Sequence, residues 1–279
     1  MEVQKHIVFG CKACPELLRF LKKNEISYED GSPIVLDISD QSPFWPAIQA
    51  YVNKYEKTII CLSETCFTKS ELKAAQWLRV RCKWRNGYPQ PEDGFGYEKI
   101  TYTDECHCKE CGSGLVQIDS FRMKKEPKWG KRHFMTLNWV EDELFANETA
   151  KALLQDARFS GIEFREVRNK NGSQVLPDVY QLVIPNLLDA GLEPDRPSVD
   201  EIHICPYCGV AKYHPTGIGM LAFKGDIFRN APDIVKTTEV FGWGHSASRE
   251  ILIRQNVYQF LTANHLDRGL VFEPVEIIY

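Results

Sequence analysis

The chain has no run of 18 or more apolar residues, so nothing in it reads as a membrane-spanning helix. It has no basic excess either: 34 Lys and Arg face 38 Asp and Glu, for a formal net charge of -4. A globally basic nucleic-acid binder is thereby excluded, and only a local patch is left to serve that role. No long apolar stretch follows Met1. The opening Met-Glu-Val-Gln-Lys-His-Ile-Val-Phe reads as a strand and not an export signal, so a cytoplasmic location is expected. Walker A, His-Glu-x-x-His and Gly-x-Ser-x-Gly motifs are all missing, which removes the most recognisable nucleotide, metalloprotease and hydrolase chemistries. The composition is globular, at 43% apolar over 279 residues, so a sizeable core is possible.

What the chain does have is ten cysteines. In a reducing compartment these do not persist as disulfides. Cys61, Cys66 and Cys82 read as small buried hydrophobes. Six others form three Cys-x-x-Cys pairs. Two of these share one pattern, Cys108-Lys109-Glu110-Cys111-Gly112 and Cys205-Pro206-Tyr207-Cys208-Gly209. Two thiolates separated by two residues can grip an ion from one tight turn. The glycine after the second cysteine permits positive φ and lets backbone N–H groups face the sulfurs. Two such turns supply four sulfurs, the complement of a closed tetrahedral structural zinc site with Cys108, Cys111, Cys205 and Cys208 as ligands. The stretch from Gly112 to Ile204 separates the knuckles, so the metal would staple two distant parts of a domain. Cys106, His107, His203 and His214 lie close enough in sequence to replace a ligand, although solvated or supporting roles suit them better.

The expected fold class is α+β. Up to about residue 80 the order is β-α-β-α-β-α, with helices opening at Pro15 and Ser42-Pro43 and a capping box at Thr68-Lys69-Ser70-Glu71. Residues 1–85 are expected to form an N-terminal α/β region. The Gly- and Pro-rich stretch 86–104 is expected to be a linker, and 105–279 a zinc-binding domain with clear helices near 147–157 and 248–264. That domain reads as a diverged duplication. An amphipathic helix leads to Gly161-Ile162-Glu163-Phe164-Arg165-Glu166-Val167, and another leads to Gly269-Leu270-Val271-Phe272-Glu273-Pro274-Val275.

The two knuckles, the segment ending Gly161-Ile162-Glu163-Phe164 and the closing segment from Asp226-Ile227-Phe228-Arg229 to Val275 resemble the double-CXXCG family of bacterial immunity proteins, over roughly residues 105–279. The resemblance implies a non-enzymatic protein that binds and neutralises a cognate toxin. It implies the four knuckle cysteines as zinc ligands and no catalytic residue. The long region before the first knuckle departs from the family.

Other segments carry rival expectations. Ile7-Val8-Phe9-Gly10-Cys11-Lys12-Ala13-Cys14-Pro15 looks like a glutaredoxin start, with Cys11 as attacking thiolate at a helix N-terminus and Cys14 behind it, so a thiol-disulfide oxidoreductase is one alternative. The stretch 122–132 places Lys124, Lys128 and Arg132 around Trp129. It reads as a solvated partner-binding loop or, in a second alternative, as a zinc-dependent nucleic-acid surface. Glu141-Asp142-Glu143 reads as a solvated face beside a buried Trp139 and Phe145. Phe241-Gly242-Trp243-Gly244-His245 reads as an aromatic partner-binding loop, with Trp243 and His245 as its contacts. The expected partner is a protein, with neither membrane nor nucleic acid as the main target.

Overall fold

The computed structural model describes the backbone of residues 1–279 and every side chain except that of Glu201. The chain divides into two compact units: Met1–Glu71 with Thr216–Gly219, and Leu72–Pro215 with Met220–Tyr279.

The first unit runs β1 (Glu2–Phe9), α1 (Pro15–Lys23), β2 (Ile34–Ser39), α2 (Trp45–Lys54) and β3 (Ile59–Cys66), and ends in the first turn of α3 (Lys69–Ala74). Proline opens α1 because its missing N–H has no intrahelical partner there anyway. Leu17 and Leu21 of that helix pack on Ile7, Phe9, Ile34 and Leu36. The capping box forms: Thr68 N–H donates to Glu71 Oε2 at 2.7 Å, and Glu71 N–H donates to Thr68 Oγ1 at 3.2 Å. The sheet order is β2-β1-β3, with both neighbours antiparallel to β1. This departs from the glutaredoxin resemblance, because a helix crossing over between two neighbouring strands of that kind leaves them parallel.

The second unit contains β4 (Trp77–Cys82), α4 (Glu98–Thr101), β5 (Tyr102–Thr103), β6 (Val116–Gln117), β7 (Arg122–Met123), β8 (Phe134–Leu137), β9 (Val140–Ala146), α5 (Glu148–Ala157), β10 (Glu163–Asn169) and β11 (Val175–Val183). It continues with β12 (Val199–Ile204), β13 (Ala211–Pro215), β14 (Ala222–Lys224), β15 (Ile234–Lys236), β16 (Val240–Phe241), β17 (Ile251–Arg254), α6 (Gln255–Ala263), β18 (Leu270–Pro274) and β19 (Glu276–Ile278). The whole is a mixed α+β fold.

The two halves of this unit repeat one plan. In the sheet β7-β10-β11-β9-β8, the strands flanking α5 (β9 and β10) lie on either side of β11, and both run antiparallel to it. In the sheet β15-β17-β4-β18, the strands flanking α6 (β17 and β18) lie on either side of β4, again both antiparallel. Each half is thus a split β-α-β unit with an inserted central strand. In the first half that strand follows the unit in sequence, and in the second it precedes both halves. Gly161 and Gly269 sit at the matching joints, each with φ +91°. Both sheets and both helices share one core, in which Leu144, Leu154 and Leu182 meet Leu78, Ile253, Val257 and Leu261. Each such side chain contributes about 2 kcal/mol by leaving water. On the other face of β4, Arg79 makes a two-pronged ion pair with Glu250 at 2.6 Å and a second contact with Glu273 at 2.9 Å.

Several expectations are corrected. The division falls after Glu71 and not at residue 85, because β4 supplies the central strand of the second sheet. Residues 86–104 are built into the second unit: Pro89, Gln90, Tyr97 and Thr101 are buried. The helix expected from 248 starts at Gln255, because Ile251-Leu252-Ile253 is a β-branched run claimed by β17. Cys61 and Cys82 are half-buried and Cys66 is exposed, so none of the three is a fully buried hydrophobe.

Candidate metal centre

Each knuckle is the tip of a hairpin. The first lies between β5 and β6, where Tyr102 pairs with Gln117 and Thr103 with Val116. The second lies between β12 and β13, where Ile204 pairs with Ala211. The local hydrogen bonds match. Cys108 N–H donates to Ser113 O at 2.8 Å, and Gly112 N–H to Cys108 O at 2.8 Å. Cys205 N–H donates to Val210 O at 3.0 Å, and Gly209 N–H to Cys205 O at 2.9 Å. Gly112 and Gly209 adopt φ +75° and +74°, the left-handed region in which a side chain is strained.

The two tips meet. Cys108 Sγ lies 3.8 Å from Cys205 Sγ, and Cys111 Sγ lies 3.6 Å from Cys208 Sγ, each pair 97 residues apart in sequence. All four sulfurs fall within 4.8 Å of one another. Thiolates holding a divalent ion tetrahedrally at about 2.3 Å would stand about 3.8 Å apart. The site can therefore hold a metal ion, and four sulfurs complete a tetrahedron without an open position. Of Cys106, His107, His203 and His214, none joins the cluster. The His214 ring instead packs 4.8 Å from that of Trp243.

The packed thiols divide their protons unevenly. The backbone N–H of Val210 and the donors on Cys111 and Ser113 lower Cys208 to about 6. Cys108 rises to about 11: the N–H groups of Cys111 and Glu110 favour its thiolate, but burial and the protons it shares with Cys208 and Cys111 outweigh them. Ser113 stands behind the cluster, its Oγ 3.0 Å from Cys111 Sγ.

Lys212, on β13, was not foreseen from the sequence. Its side chain is buried, and its ammonium donates to three carbonyls: Cys111 O at 2.9 Å, Gly244 O at 2.5 Å and Ser246 O at 2.7 Å. Burial lowers its pKa while the four cysteines oppose that shift. Lys212 thus joins the second hairpin to the first knuckle and to the loop 242–246. That loop also covers Gly112, where an added Cβ would stand 1.9 Å from His245 O. The first knuckle is further held through its own hairpin, where Gln117 and Gln181 exchange side-chain hydrogen bonds at 2.7 and 2.8 Å. The available signal for Lys212 was weak: a lysine at an alternating strand position just past a knuckle.

The other predicted residues are placed as follows. Cys14 is buried with its Sγ 3.7 Å from Thr58 Oγ1, while Cys11 is exposed. Lys124, Lys128 and Arg132 are exposed. Trp129 is not: it is only 9% exposed, donates from Nε1 to Asp178 O at 2.9 Å and packs edge-on against Trp84. An indole so enclosed has no face left for a base or partner, and the bland-looking basic loop hides a core residue. Trp243 and His245 are exposed on the loop over the first knuckle, as a contact role requires. The acidic run divides. Glu141 is exposed, but Glu143 is buried, accepting from Lys236 Nζ at 2.6 Å and from Gln181 Nε2 at 2.8 Å, with Asp142 3.5 Å from the same ammonium. Trp139, expected inside, is 44% exposed.

No family model matches the chain, and no curated protein matches it. Among the described residues, no helix is long and apolar enough to cross a membrane.

Proposed function

We propose that the chain is a non-enzymatic immunity protein, scaffolded by structural zinc, that binds and neutralises a cognate toxin protein in the cytoplasm. The observation that carries the reading is the four-sulfur cluster, with edges of 3.6 and 3.8 Å joining hairpins far apart in sequence. An all-thiolate tetrahedral donor set suits zinc among the common divalent ions. With four thiolates the bound site carries a net charge of about -2, and the buried Lys212 ammonium supplies a positive charge beside it. The repeated split β-α-β plan, one knuckle to each half, supports the resemblance to double-CXXCG proteins. A scaffold held by a metal loses little ordering entropy when it docks a partner.

Two measurements test this. Elemental analysis of protein purified without chelator should give one zinc per chain, and none in the Cys108→Ser/Cys205→Ser double variant. Expression beside the toxin candidate encoded by the neighbouring reading frame should restore growth, with a stable complex recovered. Zinc-free protein that still protects would sink the role given to the metal, and failure to protect would sink the toxin reading.

A further inference from the structure

Two large aromatic residues occupy backbone positions that suit glycine. Trp139 is the second of two residues joining β8 to β9 and has φ +69°. Phe95 has φ +55° and follows Gly94 at φ +58°. Bulky side chains are outliers in this region, and strained backbone of this kind concentrates at functional sites. Both rings are also half in water: Phe95 is 50% exposed, Trp139 44%, and their neighbour Tyr88 40%.

The three rings form one surface. The Tyr88 and Phe95 centroids lie 4.4 and 4.6 Å from that of Trp139. Beneath them the buried Tyr97 lies nearly parallel to Trp139, at 6.2 Å and 22°. The segments carrying the rings are fixed to each other. Asn138 donates both its backbone N–H and its Nδ2 to Gly87 O, at 2.9 Å each, and Tyr97 N–H donates to Pro91 O at 2.7 Å.

The surroundings are acidic. Segments 85–99 and 138–141 carry Glu92, Asp93, Glu98 and Glu141 against Arg85 and Lys99, four acids to two cations. Arg85 is already paired with Glu141 at 2.8 Å. The phenol of Tyr97 registers the same field: burial raises its pKa, and Glu98 and Asp142 raise it further. Rings alone would also stack on nucleic-acid bases, but a rim of this sign repels phosphate. It favours a cation, which is drawn both to the carboxylates and to the ring faces.

The geometry points to a docking surface of Tyr88, Phe95 and Trp139, rimmed by Glu92, Asp93, Glu98 and Glu141, for a basic protein segment that lays arginine or lysine side chains on the rings. It deepens the toxin-binding reading by naming a surface and the charge of the partner that fits it. None of its residues belongs to the metal centre.

The test uses the metal-loaded full chain and a fluorescently labelled decapeptide of alternating arginine and glycine, followed by anisotropy. The matching glutamate-glycine peptide and a ten-residue oligothymidylate serve as comparisons. The arginine peptide should bind, more weakly as salt rises, and the other two should not. Trp139→Gly should weaken binding on the order of tenfold. It should do so without lowering the melting midpoint, because glycine suits the left-handed turn. Phe95→Gly and the triple variant Glu92→Gln/Asp93→Asn/Glu141→Gln should weaken it as well, and give the same readout if Trp139→Gly unfolds. Unchanged affinity in these variants, or equal binding of the acidic peptide or the oligonucleotide, would overturn the surface. Peptide binding by a chain that gives no growth protection would leave the surface standing and remove the toxin reading. Protection undiminished in Trp139→Gly, with no peptide binding, would do the reverse.

Discussion

The two knuckles share a sequence pattern and a hydrogen-bonding scheme, yet they sit in unlike places. Around the first, Cys111 is buried, the His245 carbonyl lies over Gly112, and Gln117 is tied to Gln181 in the sheet. Around the second, Cys208 is exposed, Tyr207 projects into water at 77% exposure, and Gly209 has open space where a Cβ would go. The motif therefore dictates the turn, and the surroundings dictate how much else holds it. The first knuckle is docked into the protein through side chains and the loop 242–246. The second depends more heavily on the sulfurs it shares with the first.

The largest expected effect breaks the pair apart. Removing the metal, or replacing Cys205 with serine, should forfeit a binding free energy on the order of 10 kcal/mol. Hydrogen exchange should then show loss of protection across β12 and β13 well before β5 and β6. Simultaneous loss at both hairpins would mean that the metal alone holds each of them.

Next in size are the glycines. Gly209→Ala meets no neighbour and bears only the left-handed backbone, at about 1 kcal/mol. Gly112→Ala bears the same strain and also pushes the His245 carbonyl away, for a total of about 3 kcal/mol. Denaturant midpoints of the two variants should differ accordingly. Equal values would show that the loop over the first knuckle yields freely. Lys212→Met comes third. It leaves the carbonyls of Cys111, Gly244 and Ser246 without their shared donor, at about 2 kcal/mol, and should mobilise the loop on which Trp243 sits. Trp243 fluorescence against a Trp243→Phe background reads that loosening. An unchanged signal would show that the loop needs no ammonium.

This contrast also separates what a sequence can disclose from what it cannot. The knuckles were legible because spacing and glycine placement are local chemistry. The same holds for α1 behind Pro15, the box at Thr68–Glu71, and the matching joints at Gly161 and Gly269. Residues whose role depends on a distant partner were misread. Lys212 and Lys236 look like surface lysines until the carbonyls and carboxylates that enclose them are assembled. Trp129 and Trp139 exchanged their expected places. A tryptophan amid lysines looks exposed, and one beside alternating strand residues looks buried, but only the packing of β7 to β11 decides which indole finds a pocket. Strand β4 was placed with the wrong unit for the same reason, since its pairing partners β17 and β18 lie more than 150 residues later.

The smallest effect is electrostatic, and it belongs to the metal-free protein. Cys208 ionises at about 6 in the folded chain, against an ordinary value of 9.0. Between those values the unfolded chain binds the extra proton, so stability rises with pH across the window and is lost again as pH falls toward 6. Cys108 has the opposite sign. The folded chain keeps its proton up to about 11, so its contribution is lost as pH rises from 9.0. For these two thiols together, the stripped protein should be most stable near pH 9. Thermal midpoints of chelator-treated protein between pH 6 and 11 should trace that maximum. Cys208→Ser should flatten the limb below pH 9 and leave the limb above it in place. The metal-loaded protein should show neither limb, because all four sulfurs are already deprotonated. A limb below pH 9 that survives in Cys208→Ser would place the early thiolate on the docked knuckle, and would reverse which of the two hairpins carries the site's first negative charge.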